Sequence, residues 1–118
     1  MKKIADIIGP IYQKLLARSM RGKFSANIDI QDPFLDVGDA EVVERFYEKQ
    51  LKRALKTIEP GGTITISQTR NESIVKFNLK DSGSSFDDAQ KEALCAEGLE
   101  FRSRLGYDNT VSLVMEIR

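Results

Sequence analysis

The stretch VERFYEKQLKRALKTI (Val43–Ile58), followed by EPGG (Glu59–Gly62), TITIS (Thr63–Ser67), SIVKFNL (Ser73–Leu79) and DSGSS (Asp81–Ser85), decides how this chain folds. Val43, Phe46, Tyr47, Gln50, Leu51, Ala54, Leu55 and Ile58 recur at helical spacing and predict a long helix from about Ala40 to Ile58, with these residues on its inner face. Asp39, Glu41 and Glu44 come early in it, while Lys49, Lys52, Arg53 and Lys56 come late, an order that complements the helix dipole. Pro60-Gly61-Gly62 breaks the helix. Thr63–Ser67 and Ser73–Leu79 then alternate with period two around the polar segment Gln68–Glu72, which predicts a β-hairpin.

Working outward, Ile4, Ile7, Ile8, Ile11, Leu15, Leu16 and Met20 form a second helical stripe. Gly9-Pro10 interrupts it and predicts a kink or a short preceding turn, since proline offers no donor to the turn before it, and Gly22 is expected to close the helix. Phe24, Ala26, Ile28 and Ile30 alternate as a half-exposed strand; Phe34–Val37 is a second extended piece; Asp39 is placed to cap the long helix. Asp87-Asp88 is placed to cap a helix that runs through Leu94 and Cys95 to Gly98. Thr110–Ile117 reads as a final strand with Val111, Leu113, Met115 and Ile117 on one face. The pattern predicts an α+β two-layer sandwich, a mostly antiparallel sheet covered on one face by helices, and 118 residues fit it as a single domain over 1–118.

Composition removes several chemistries. There is no histidine, so His-dependent triads, His-ligated metals and imidazole acid–base work are excluded, and the chain has no histidine of its own to phosphorylate. Cys95 is the only cysteine, which excludes an internal disulfide or a multi-thiolate metal site, and its apolar surroundings in sequence predict a buried, unreactive thiol. Eighteen Lys and Arg balance eighteen Asp and Glu, so no global positive field points to nucleic acid or an anionic membrane. Arg102, Arg104 and Arg118 read as ordinary surface charge, and Tyr12, Tyr47 and the six phenylalanines as core rather than as a stacking platform. No apolar window approaches the ~20 residues of a membrane span, and a cytoplasmic location is expected.

Taken together, Val43–Ile58, Gly61-Gly62-Thr63-Ile64-Thr65-Ile66 and Asp81-Ser82-Gly83 resemble the core of the histidine kinase-like ATPase domain of the GHKL superfamily. The likeness in element order extends from about Ile4 to Phe86. In that family the loop aspartate accepts a hydrogen bond from the exocyclic amine of adenine, glycines let the backbone approach the nucleotide, and an asparagine on the long helix holds magnesium. By this resemblance Asp81 and Gly83 match the adenine loop, and Ser85 stands where a second loop glycine is expected. Arg53, counted back from Gly61-Gly62, stands at the magnesium-binding asparagine, with Lys49 and Lys52 nearby. A guanidinium has no lone pair to give a cation and repels it, so the resemblance carries no place for Mg2+.

Beyond Phe86, Arg102–Tyr107 is the only trace of the family's glycine-rich lid, and the span after Asp81 is read as too short for a lid, a helix and two final strands. What the resemblance implies is a degenerate, shortened module, a pseudo-kinase of bacterial two-component signalling, without catalytic residues and acting by binding a protein partner. The alternative is a functional adenine-nucleotide-binding domain of a sensor kinase or anti-sigma-factor-type kinase. There Asp81 reads adenine, and Arg53, with Lys49 or Arg104, meets the phosphates of ATP or ADP without a metal.

Overall fold

A computed structural model describes residues 1–117, and its elements run in the order β1 (Lys2–Lys3), α1 (Ile4–Gly22), β2 (Ser25–Ile30), β3 (Asp36–Val37), α2 (Ala40–Thr57), β4 (Thr63–Asn71), β5 (Ile74–Asp81), α3 (Asp88–Ala96), β6 (Glu100–Arg102) and β7 (Asn109–Glu116). The main sheet has five strands in the order β2-β4-β5-β7-β6, antiparallel except where β2 pairs parallel with β4. A separate two-stranded ribbon joins β1 to β3. This is the expected α+β architecture.

The period-two pattern sorts the sheet's faces. Ile64, Ile66, Val75, Phe77, Leu79 and Val111 are fully buried, while the alternate residues Thr63, Thr65, Lys76 and Lys80 lie on the opposite, polar face. The buried face meets Ile4, Ile7, Ile8 and Leu15 of α1 and Val43, Phe46, Tyr47, Leu51 and Ala54 of α2 in one core cluster. The Glu59–Gly62 turn carries the chain back from α2 to the sheet. Gly61 sits at φ 87°, where a side chain would be strained, and a Cβ on Gly62 would meet Ile58 Cδ1 at 2.6 Å and Ser82 Oγ at 2.7 Å. Among the described residues no helix is long and apolar enough to cross a membrane.

α1 runs unbroken through Pro10, with no separate turn before it, and Gly22 closes it as expected, the left-handed cap falling on Lys23 at φ 56°. Several local expectations need correction. Leu16 and Met20 are exposed, because α1 meets the core over a narrower stripe than its sequence suggests. Cys95 is exposed too, since Leu94 is the one buried residue of α3. Phe34 also faces solvent, although the other five phenylalanines, Tyr12 and Tyr47 are buried or half-buried. Asp39 precedes α2 without a side-chain capping bond, whereas Asp87 and Gln90 complete a reciprocal capping box on α3. After Asp81 the chain holds one helix and two strands, joined by the short segments 82–87, 97–99 and 103–108. Arg118 lies outside the described residues.

Tyr47 ties α2 to the sheet. Its ring meets Phe46 and Phe77 edge-on at 5.0 and 6.4 Å, and its hydroxyl lies 3.1 Å from the Ser67 carbonyl and 3.3 Å from that of Asn78. Burial pushes its phenol well above the ordinary value of 10.0. The folded chain therefore holds this proton where the unfolded chain releases it, so the stabilisation is complete below about pH 10 and declines as pH rises past it. Tyr47→Phe is expected to cost about 1 kcal/mol at neutral pH from the lost hydrogen bond. It should also make the decline above about pH 10 shallower than in the parent, as read by urea denaturation across pH. An identical alkaline decline in both proteins would contradict this assignment.

Candidate functional site

Asp81 is the last residue of β5 and has no exposed surface, so its carboxylate depends wholly on protein donors. Arg53, half-buried on α2, donates through Nη2 to Asp81 Oδ2 at 2.9 Å. On the other oxygen, Oδ1 accepts from the Gly83 backbone N–H at 3.0 Å and from Asn109 Nδ2 at 3.1 Å. Arg53 is itself held at two further points: its Nε donates to Gln50 Oε1 at 3.1 Å, and its guanidinium lies 4.6 Å above the centre of the Phe86 ring. A buried carboxylate with three donors and one full counter-charge is a satisfied site.

The network continues into the loop after β5. The same Asn109 Nδ2 lies 2.8 Å from the Ser84 carbonyl, and Ser103 Oγ donates to Asn109 Oδ1 at 2.6 Å. The Phe86 N–H donates to Ser103 Oγ at 2.8 Å, so the 82–87 loop is fastened to both Asn109 and Ser103. At the start of that loop, Ser82 exchanges bonds with Thr63, donating its N–H to the Thr63 carbonyl at 3.1 Å and accepting the Thr63 N–H on Oγ at 2.8 Å. Gly83 packs directly on α2: a Cβ there would collide with Thr57 Oγ1 and come within 3.0 Å of Asp81 Oδ1.

The residues singled out from sequence are thus only partly brought together. Arg53, Asp81 and Gly83 form one cluster. Ser85 is exposed in the 82–87 loop. Lys49 reaches away from Asp81 and pairs with Glu97, just past the end of α3. Lys52 lines a groove between α1 and α2, and Arg104 lines a separate cavity with Lys80 and Thr110, residues of the sheet's polar face. Five surface cavities of roughly 260–460 Å3 are open on the chain, and none of these five is lined by Arg53, Asp81 or Gly83. Among the described residues no group of three or more Cys, Asp or Glu side chains is arranged to hold a metal ion.

Asn109, Ser103 and Gln50 are the site residues that sequence reasoning missed. Asp108-Asn109 reads locally as a turn, and only the register of β7, which sets Asn109 directly across from Asp81, brings its amide to the carboxylate. Gln50 carried a signal: it is the one polar residue on the inner stripe of α2, and its burial requires a partner.

No family model and no curated protein sequence matches the chain. Solved structures do. The catalytic domain of the histidine kinase ThkA is 12% identical, with a TM-score of 0.79 over 98% of this chain and 92% of that one. The histidine kinase AdeS of Acinetobacter baumannii is 10% identical, with a TM-score of 0.77 over 98% of this chain and 66% of that one. ThkA in complex with the response regulator TrrA matches at 14% identity and a TM-score of 0.78, over 99% of this chain and 41% of that one. The chain therefore has the fold of the histidine kinase catalytic domains, as the sequence resemblance implied.

Removing one member of the ion pair leaves the other without its counter-charge. Asp81→Ala is expected to destabilise the fold by about 3 kcal/mol, because Arg53 loses its counter-charge and the Gly83 N–H and Asn109 amide each lose an acceptor. Gly83→Ala should cost about 1–3 kcal/mol through collision with Thr57. Both are read by urea denaturation, and a neutral result for either variant would contradict the packing described above.

Proposed function

We propose that this chain is a histidine kinase-like ATPase module that no longer uses nucleotide and acts in signalling by binding another protein. The observation that carries the reading is the Arg53–Asp81 ion pair. Adenine recognition in this superfamily requires a loop aspartate with a free acceptor oxygen. Here Oδ2 faces the Arg53 guanidinium, while Oδ1 already takes two N–H donors. Three of the carboxylate's roughly four acceptor positions are filled and Asp81 has no exposed surface, so an incoming exocyclic amine reaches it only if a neighbouring group moves, at a cost the nucleotide has to offset.

The residues present do not fit magnesium either. A metal at this point of α2 needs a lone pair, and Arg53 offers five N–H donors and a positive charge. These 118 residues carry no histidine of their own to receive a phosphoryl group. What remains is a rigid scaffold with its sheet, its helical layer and its loops intact, the kind of surface that suits protein recognition. The complex of ThkA with a response regulator, on the same fold, supports a signalling protein as the partner class.

The test is a nucleotide titration followed by melting temperature and by heteronuclear NMR, with ATP and with ADP, each with and without Mg2+. Ligand at its Kd stabilises a fold by only about 0.4 kcal/mol and at ten times Kd by about 1.4 kcal/mol, so melting reads sub-millimolar binding and the NMR titration reads millimolar binding. The expected result is no nucleotide-dependent shift at millimolar ligand and no phosphate release above buffer. Saturable shifts at Asp81, Gly83 and Phe86 would instead establish the nucleotide-binding alternative, and Mg2+-dependent hydrolysis would overturn the proposal outright.

A further inference from the structure

α1 and α2 leave between them a groove of about 400 Å3 whose floor is apolar and whose rim is basic. Ile11 and Leu15 from α1 and Leu51 and Leu55 from α2 make the floor; Leu15 and Leu51 are buried, at 2% and 9% exposure, and so lie recessed. Lys14 and Arg18 stand along one side, Lys52 and Lys56 along the other, all four exposed, and Glu48 is the only acid lining the groove. Among the described residues none of these four cations has an ion-pair partner within 4.0 Å.

Helix-dipole complementation does not account for them. Of the four, only Lys56 lies in the last turn of its helix; the last-turn cation of α1 is Arg21, and Lys14 and Arg18 sit further back. A chain with no net charge has thus gathered four unpaired cations around one apolar trough.

We infer that the α1–α2 groove is the docking surface for an acidic amphipathic helix of a partner protein. Its lining residues fall at i, i+3, i+4 and i+7 on α1, from Ile11 to Arg18, so the trough extends about 10 Å, or two helical turns. That length accepts two or three apolar anchors spaced one turn apart, the pattern by which helices fill such grooves. Glutamates or aspartates flanking the anchors meet Lys14 and Arg18 on one side and Lys52 and Lys56 on the other. The recessed floor disfavours a membrane, because a flat bilayer meets the cations before it reaches Leu15 or Leu51. The inference rests on the protein-binding half of the proposed function and is independent of whether Asp81 admits a nucleotide.

The probe is a synthetic helix of roughly 18 residues with leucines one turn apart on one face and glutamates flanking them, beside its lysine-for-glutamate counterpart. Titrated into the isotopically labelled chain, the glutamate helix should shift the backbone amides of 11–18 and 48–56, and weaken by about tenfold between 50 and 300 mM salt. The variant Lys14→Glu/Arg18→Glu/Lys52→Glu/Lys56→Glu should lose at least tenfold in affinity for the glutamate helix and gain affinity for the lysine helix, about 1.4 kcal/mol per tenfold. The milder pair Arg18→Gln/Lys52→Gln should lose a part of the same affinity and guards against misfolding of the quadruple variant. All of these changes lie on the solvent face, so the nucleotide titration of the quadruple variant should match the parent and keep the two readings separate. Absence of shifts, shifts centred elsewhere, equal response to both peptides, or charge-dependent binding to phosphatidylglycerol vesicles without binding to the glutamate helix would each overturn the inference.

Discussion

A carboxylate with no contact to water has to be neutralised or bonded on every side, and in this fold Asp81 is that carboxylate. The solution is Arg53, reaching from the long helix to the end of the central strand, with a backbone N–H and the Asn109 amide serving the second oxygen. The pair joins the helical layer to the sheet where the 82–87 loop begins. The same electrostatic demand that holds α2 against β5 fills three of the acceptor positions of this carboxylate from within the protein.

The glycines tell a parallel story. In a nucleotide site they serve close approach of a ligand to the backbone; here Gly83 makes room for Thr57 and Gly62 makes room for Ile58 and Ser82. Residues that match an adenine loop by position thus also carry packing and hydrogen bonds within this molecule, which is why a motif match is separable from an activity.

What sequence alone could reveal tracks how local each signal is. The stripe of α2, the Gly61-Gly62 break and the hairpin of β4 and β5 are encoded by neighbours within a few residues; α2 and β5 fell within two residues of the observed boundaries, whereas β4 runs four residues past Ser67 to Asn71, because its polar end Gln68–Asn71 still pairs with β5. The two-residue β1 and the three-residue β6 are too short to show any period, and the parallel pairing of β2 with β4 joins segments almost forty residues apart, from Ser25 to Thr63. At the site, Arg53 and Asp81 were legible as separate anomalies, one a cation at a metal position and the other a loop acid. Their direct pairing was not, because it depends on the relative height of a helix and a strand. Asn109 was less legible still, since its role is fixed by the register of β7 against β5. Cys95 and Met20 misled for the opposite reason: both continue an apolar pattern past the point where the element meets the core.

The most direct measurement of the central claim is a crystal structure of the chain grown or soaked with Mg2+ and a non-hydrolysable ATP analogue at millimolar concentration. The account predicts that Arg53 Nη2 and Asp81 Oδ2 remain bonded at about the 2.9 Å seen here, with no base in contact with the 82–87 loop. An adenine amine seated on Asp81, with the arginine swung out toward the phosphates, would contradict it.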